Sequence, residues 1–294
     1  DGSLLYTGNE DGHVRVWETS TWNEIPELRF KAHRGPVSAI ALSHEGKLIA
    51  TSGDDTLKIF PLNPEEGVVG RRERLTIPRK HPANWIKFTR DQSGNDRALI
   101  HSSPEGTLEV WDCDSGKPDP AKPIAPSKDR IPVHRIMARA VLLKGGQILL
   151  VGGSFPNKVP HSDCYLYDPA NRTWKKTGSL RTPRGEQFGL EVLPDGRVLA
   201  AGGWTRGGVA LTSCEIYDPA SGSWQTSVSM DIARDGGTCT SLADGRILMI
   251  GARGDNSRED WNSCEIYDPR TGAWTPTGRL KQAAYGIQSL RLMD

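Results

Sequence analysis

Hydrophobic and polar positions alternate in short runs along the first part of the chain. Val14-Arg15-Val16-Trp17-Glu18, Leu57-Lys58-Ile59-Phe60-Pro61 and Leu108-Glu109-Val110-Trp111-Asp112 are three such runs, and a period of two marks a strand with one buried face. Turn sequences precede them: Asn9-Glu10-Asp11-Gly12, Asp54-Asp55 and Pro104-Glu105-Gly106. Beyond about residue 127 the pattern changes. There, apolar strands end in small residues at 148–153, 198–203 and 247–252.

The second pattern repeats. Tyr167, Tyr217 and Tyr267 are spaced by 50, as are Trp174, Trp224 and Trp274, each seven residues after its tyrosine. The text around them recurs: Ser162-Asp163-Cys164-Tyr165-Leu166-Tyr167-Asp168-Pro169, Ser213-Cys214-Glu215-Ile216-Tyr217-Asp218-Pro219, and Ser263-Cys264-Glu265-Ile266-Tyr267-Asp268-Pro269. Each unit reads as four short strands. For the middle copy they fall at 187–193, 197–203, 213–217 and 223–230, with turns at Pro194-Asp195-Gly196 and Asp218-Pro219-Ala220-Ser221-Gly222. Glycines at a strand end let backbones approach closely, and the aromatic pair supplies packing area. A double glycine, a Tyr, then a Trp after six intervening residues resembles the kelch repeat over roughly 130 to 280; the third copy departs from it with Gly251-Ala252.

The first part resembles a different family. Ala32-His33, the run at 37–43 and the run at 46–53 look like the body of a WD40 repeat. In that family a His, a turn Asp and a strand Trp form a hydrogen-bonded core within the blade. His33 and Asp54 match two of these positions, with Phe60 in place of the Trp; Asp11 and Trp17 match in the first unit, and Trp111-Asp112 in the third. The resemblance covers about 1 to 125 and implies a folding role for these polar residues.

Both resemblances imply a β-propeller. Four-strand units start near Val37, Asn84, His134, Glu186 and Asp235. Strands at 3–8, 13–18 and 24–30 lack a first strand, and the one at 286–293 lacks its successors, so the two ends are expected to complete one blade. The expected fold is all-β: a closed six-bladed β-propeller, four antiparallel strands per blade, one blade shared between the N- and C-termini. It spans 1–294 as one domain, with a WD40-like half at 1–126 and a kelch-like half at 127–294. Natural recombination or deliberate fusion would produce such a chimera, and the start at Asp1 suggests an excised or processed piece.

Composition narrows the functions. Thirty-seven Lys and Arg against 36 Asp and Glu leave no basic footprint for nucleic acid and no polybasic membrane patch. No apolar run approaches the ~18 residues of a membrane helix. Five cysteines without a Cys-x-x-Cys pair suggest neither disulfides nor zinc, which fits a reducing, cytoplasmic setting. Cys164, Cys214 and Cys264 recur one blade apart and read as buried packing residues. Kelch-type copper-radical oxidases need two copper-binding histidines beside a cross-linked tyrosine. Only His134 and His161 lie in the kelch-like half, without a matching cluster. A nucleophile elbow, a phosphate loop and a zinc-protease motif are likewise missing from the sequence. No catalytic residue, metal or cofactor is therefore assigned.

A partner surface is easier to place. In each kelch-like unit the connection after the small-residue strand is long, and these loops carry Phe155, Trp204, Arg206, Arg253, Asp255, Arg258 and Trp261. Arg and Trp are enriched at binding hot spots. His134, Arg184 and Arg234 are in register by 50 and are expected to ring the central channel, where the arginines would attract an acidic peptide or carboxylate. The expected function is a monomeric, non-catalytic scaffold that binds a protein or peptide at the channel mouth. The alternative is an oxidase, lyase or hydrolase with a polar channel site.

Overall fold

The computed structural model describes residues 4–43, 46–63, 68–70, 73–79, 83–90, 96–102, 107–113, 138–155, 157–168, 173–185, 188–251, 261–280 and 288–291. Its strands pair antiparallel in propeller-blade sheets, and the chain divides into two compact units: Asp1–Ile131 with Gln288–Asp294, and Pro132–Ile287. Among the described residues there is no α-helix; Pro26–Leu28 forms a 3-10 turn, and Trp261 and Asn262 are also in 3-10 conformation.

In the first unit, Leu4–Gly8 pairs with His13–Glu18 on one edge and with Gln288–Arg291 on the other; Phe30–Lys31 completes the four strands. The two ends of the chain thus share a sheet. The alternation of His13–Glu18 has the expected cause, since Val14 and Val16 are buried while His13 and Arg15, at the alternate positions, are partly exposed. The next sheet runs Ala39–Leu42, Leu48–Gly53, Thr56–Asn63. That last strand is long enough for two short partners on its outer edge: Leu75–Pro78 takes Thr56 to Ile59, and Val68–Val69 takes Leu62 and Asn63. The third sheet has three strands, Ala83–Arg90, Asp96–Ser102 and Thr107–Asp112.

The second unit repeats one four-stranded sheet three times. The strands are Arg139–Leu142, Ile148–Val151, Cys164–Asp168, Thr173–Thr177; then Gly189–Val192, Val198–Ala201, Cys214–Asp218, Ser223–Ser227; then Thr238–Ser241, Ile247–Ile250, Cys264–Asp268, Ala273–Pro276. The second strand of each is apolar and buried along its length because it is paired on both edges and covered on both faces. Each repeated tyrosine sits directly across from its tryptophan on the neighbouring strand, with ring centroids 4.9, 5.2 and 5.2 Å apart. An extra hairpin, Trp204–Thr205 with Val209–Ala210, stands apart from these sheets.

The closed ring of six four-stranded blades is corrected by this count. Among the described residues five sheets have four strands or more, so five blades are formed, not six. The unit expected from Asn84 onward supplies only three strands among the described residues. The chain that follows lies outside them, at 114–137, and it carries Pro118, Pro120, Pro123 and Pro126.

Candidate functional site

The geometry of the second unit follows from its double glycines. Gly152, Gly153, Gly202 and Gly203 have φ of 60°, 85°, 71° and 88°, a left-handed conformation that costs glycine little. The chain therefore turns sharply as it leaves the second strand. Gly153 N–H then donates to Arg184 O at 3.1 Å, His161 N–H to Gly153 O at 2.8 Å, and Arg184 N–H to His161 O at 3.1 Å. The same triangle recurs with Gly203, Leu211 and Arg234 at 2.7, 2.9 and 3.0 Å.

Arg184 and Arg234 are locked inside this frame. Arg184 Nη1 donates to Gly202 O and Ser213 O, both at 2.8 Å, and Nη2 donates to Glu215 Oε1 at 3.1 Å. Glu215 also accepts the backbone N–H groups of Arg181 and Thr182 at 2.7 and 3.1 Å. Arg234 repeats the arrangement: Nη1 donates to Gly251 O and Ser263 O, and Nη2 and Nε donate to Glu265 Oε1 at 2.8 and 3.2 Å. Both arginines are 0% exposed. Burial pulls the Arg184 guanidinium below its usual pKa, and Glu215 opposes that pull. Buried charges persist only when paired, and here the carboxylate is internal. Their expected exposure to an acidic ligand is corrected: the two guanidiniums are committed to the blades.

What faces outward at this end is largely apolar and cationic, with Asp231 exposed and Asp163 paired to Lys176 at 2.8 Å. The loop after Ile148–Val151 closes as a small turn, with Phe155 N–H donating to Val159 O at 2.9 Å and Lys158 N–H to Phe155 O at 2.8 Å. Phe155 is half-exposed and its ring lies 3.8 Å, centroid to centroid, from the buried His161 ring. In the next blade, the Trp204 indole covers Gly185, whose N–H donates to Trp204 O at 2.7 Å. Phe155, His161, Arg184, Gly185 and Trp204 thus form one continuous strip, of which Phe155 and Trp204 reach the surface. Phe155, Val209 and Val228 are the exposed large hydrophobic residues among the described ones. All three lie on connections that leave the sheets at this end, with Met230 N–H bonded to Thr212 O beside them. Arg206 is exposed at the tip of the 204–210 hairpin, and Trp261 is partly exposed in the register of His161 and Leu211. His134, Arg253, Asp255 and Arg258 lie outside the described residues.

Sequence reasoning overlooked Val209, Val228, Lys158 and Arg181, and it overlooked the carboxylates Glu215 and Glu265. The last two were detectable. Arg184 and Glu215 are 31 apart, as are Arg234 and Glu265, whereas the first copy has His134 and Tyr165 in those places.

The opposite end of the same blades differs in charge. Asp195 pairs with Arg197 at 2.7 Å, Asp244 with Arg246 at 2.6 Å and Asp268 with Arg270 at 2.8 Å, each two residues apart. The Arg270 hydrogen bond lowers the Asp268 carboxyl to about 2. Cys164, Cys214 and Cys264 are buried thiols, and burial raises Cys214 to about 12. Among the described residues no group of three or more His, Cys, Asp or Glu is placed to hold a metal. No described helix is long and apolar enough to cross a membrane.

In the first unit, His33 is buried between two threonines, with Nε2 2.9 Å from Thr51 Oγ1 and Nδ1 3.3 Å from Thr56 Oγ1. Thr56 donates its hydroxyl proton to Gly53 O at 2.9 Å, so Nδ1 carries the ring proton and Nε2 accepts from Thr51. Asp54 accepts the amides of Arg34 and Gly35. These are folding contacts.

Comparison with known proteins agrees with the two repeat types. The kelch motif model matches residues 138–181 and 192–230, and the WD domain, G-beta repeat model matches 1–18 and 25–60. The chain is similar to the guanine nucleotide-exchange factor SEC12 of Rattus norvegicus, 44% identical over 54 residues, which is 18% of this chain and 12% of that protein. It is 33% identical over 133 residues to the type II inositol polyphosphate 5-phosphatase 15 of Arabidopsis thaliana, covering 37% of this chain and 12% of that one. With the target of rapamycin complex subunit wat1 of Schizosaccharomyces pombe it shares 25% identity over 169 residues, 57% of this chain and 46% of the relative. The chain spans less than half the length of each of these relatives.

Proposed function

We propose that this chain, which carries WD40 repeats in its first part and kelch motifs in its second, is a non-catalytic protein-interaction propeller. Its partner docks on the end of the second unit that presents Phe155, Trp204, Arg206, Val209 and Trp261. The observation that carries this reading is the gathering of the exposed large apolar side chains on connections at one end of the blades. Scattered apolar residues need no explanation, but a gathered set beside arginine and tryptophan has the composition of a binding hot spot. The internal engagement of Arg184 and Arg234 supports it as well, because the loops are held by a stiff frame.

Relatives named as an exchange factor and as a complex subunit support a regulatory or scaffolding role. Free thiols at all five cysteines are compatible with a reducing compartment such as the cytoplasm. Without its partner the chain is expected to be a monomer. Two unlike repeat families in one chain are what a recombined or deliberately fused propeller would contain.

A photo-cross-linking residue at position 209, compared with one at 195 on the opposite end, tests the location. A specific adduct from 209 that disappears with Phe155→Ser is the expected result. Equal adducts from both positions would sink the proposal.

A further inference from the structure

The two ends of the second unit treat their cations differently. On one end Arg197, Arg246 and Arg270 each have an aspartate two residues earlier within 2.8 Å. On the other, Lys158, Arg181 and Arg206 are exposed, and none has an ion-pair partner among the described residues. The second end also carries the Lys176–Asp163 pair at 2.8 Å and an exposed Asp231, so Lys158, Arg181 and Arg206 leave it with an excess of unpaired positive charge.

The open cations are held in defined positions. Lys158 occupies a left-handed φ of 58°, where glycine or asparagine would be at less cost, by about 1 kcal/mol. Asn157 Oδ1 braces the turn by accepting Val159 N–H at 3.3 Å. The Arg181 backbone is fixed by its N–H bond to buried Glu215 at 2.7 Å. Arg206 sits at the tip of a hairpin whose base is the Trp204–Ala210 pair. Phe155 shares its turn with Lys158, and Trp204 stands at the base of the hairpin that carries Arg206. An anion that touched only the cations would leave the rings wet, and an apolar ligand would leave the cations unpaired.

We infer that the partner contributes an acidic peptide segment, with carboxylates that pair with Lys158, Arg181 and Arg206 and one bulky apolar side chain that packs on Phe155 and Trp204. This rests on the interaction reading above and adds the chemistry of the partner to it. Charge complementarity of this kind sets approach rate and register, while the apolar anchor supplies most of the residence time.

The test uses the full chain as bait for a phage-displayed library of random 12-residue peptides. The enriched peptides, made synthetically with a fluorescent label, are then titrated against three proteins: the unmodified chain, Lys158→Glu/Arg206→Glu, and Phe155→Ser/Val209→Asp. Enriched peptides rich in Asp or Glu around a Leu or aromatic residue are expected, with each double variant weakening binding by about tenfold or more and salt weakening it further. Asn/Gln versions of the same peptides should bind worse by a similar factor. If the apolar variant loses binding but charge reversal and the amide peptides do not, the acidic-peptide inference is overturned while the interaction reading stands. If neither variant affects binding, both fall. Selection of neutral or basic peptides, failure to select any, or equal binding of a 12-nucleotide oligothymidylate overturns the inference alone. Circular dichroism of both variants separates lost binding from lost folding.

Discussion

Tyr217 Oη lies 2.6 Å from Thr177 Oγ1, joining the third strand of one blade to the outer strand of the blade before it. Thr177 gives its own proton to Gly222 O at 3.3 Å, so the phenol is the donor. Fifty residues on, Tyr267 Oη and Ser227 Oγ are 3.5 Å apart, at the outer limit of a hydrogen bond. One repeat therefore carries a firm inter-blade bond and the next a weak one.

Removing each phenolic oxygen separates the two cases. Tyr217→Phe should cost about 1 kcal/mol, the usual worth of a neutral hydrogen bond, and Tyr267→Phe distinctly less. Urea unfolding of the two variants, followed by tryptophan fluorescence, measures the difference. Equal losses would show that packing of the rings, not the bond, decides.

The Arg234–Glu265 pair makes a stronger demand. Glu265→Ala leaves a guanidinium and the amides of Asp231 and Ile232 without their acceptor. The expected loss is about 3 kcal/mol or more, because an unpaired buried charge is worse than none. Arg234→Met combined with Glu265→Leu should cost less than the single change, since no charge then remains to be solvated. Thermal unfolding of both variants checks the order; a double variant less stable than the single would contradict it.

The repeat was legible in the sequence because it is local. Tyr, Trp and double glycine recur at one spacing, and each has a physical job that its type alone announces. The fate of Arg184 and Arg234 was not legible in the same way. Their register identified them as equivalent, but whether an arginine faces solvent or a buried carboxylate depends on a strand 31 residues later. The Glu215 and Glu265 register was present in the text and would have supplied the answer. Trp204 was named for its type, yet its seat over Gly185 depends on the neighbouring blade. Blade number failed for a different reason: strand counts from turn signals assume a partner edge for every run, and the unit from Asn84 onward has three strands among the described residues.

His33 gives the first unit a pH dependence. Burial is the largest cause that lowers its pKa to about 4, with Lys58 adding to it. An unfolded histidine titrates near 6.5. Between about 6.5 and 4 the unfolded chain binds the extra proton and the folded chain does not, so stability falls as pH drops through that window. At saturation the loss is on the order of 3 kcal/mol. A proton on Nε2 would also confront the Thr51 hydroxyl that donates to it. His33→Gln should be less stable at pH 7.5 but should flatten the curve between pH 6.5 and 4. Urea midpoints of both proteins across that range test this, and an unchanged slope in the variant would refute the assignment.

Gly185→Ala connects the frame to the surface it supports. Gly185 is buried, and its φ is not in the left-handed region, so the backbone itself would accept alanine. The obstacle is the Trp204 indole, whose Cδ2 and Cζ2 would lie 2.6 and 2.7 Å from an added Cβ. A ring held to the backbone by its own carbonyl bond to Gly185 cannot slide away without opening the hairpin. The substitution should therefore cost about 1–3 kcal/mol, as overpacking does, and should move the indole outward. Labelling with 5-fluorotryptophan resolves this in a chain with nine tryptophans, the Trp204 resonance being identified by its loss in Trp204→Phe. A shifted Trp204 signal with the other resonances in place is the expected spectrum. Because the ring forms part of the proposed docking strip, peptide binding should weaken in step with that shift, whereas a purely global destabilisation would move many resonances together.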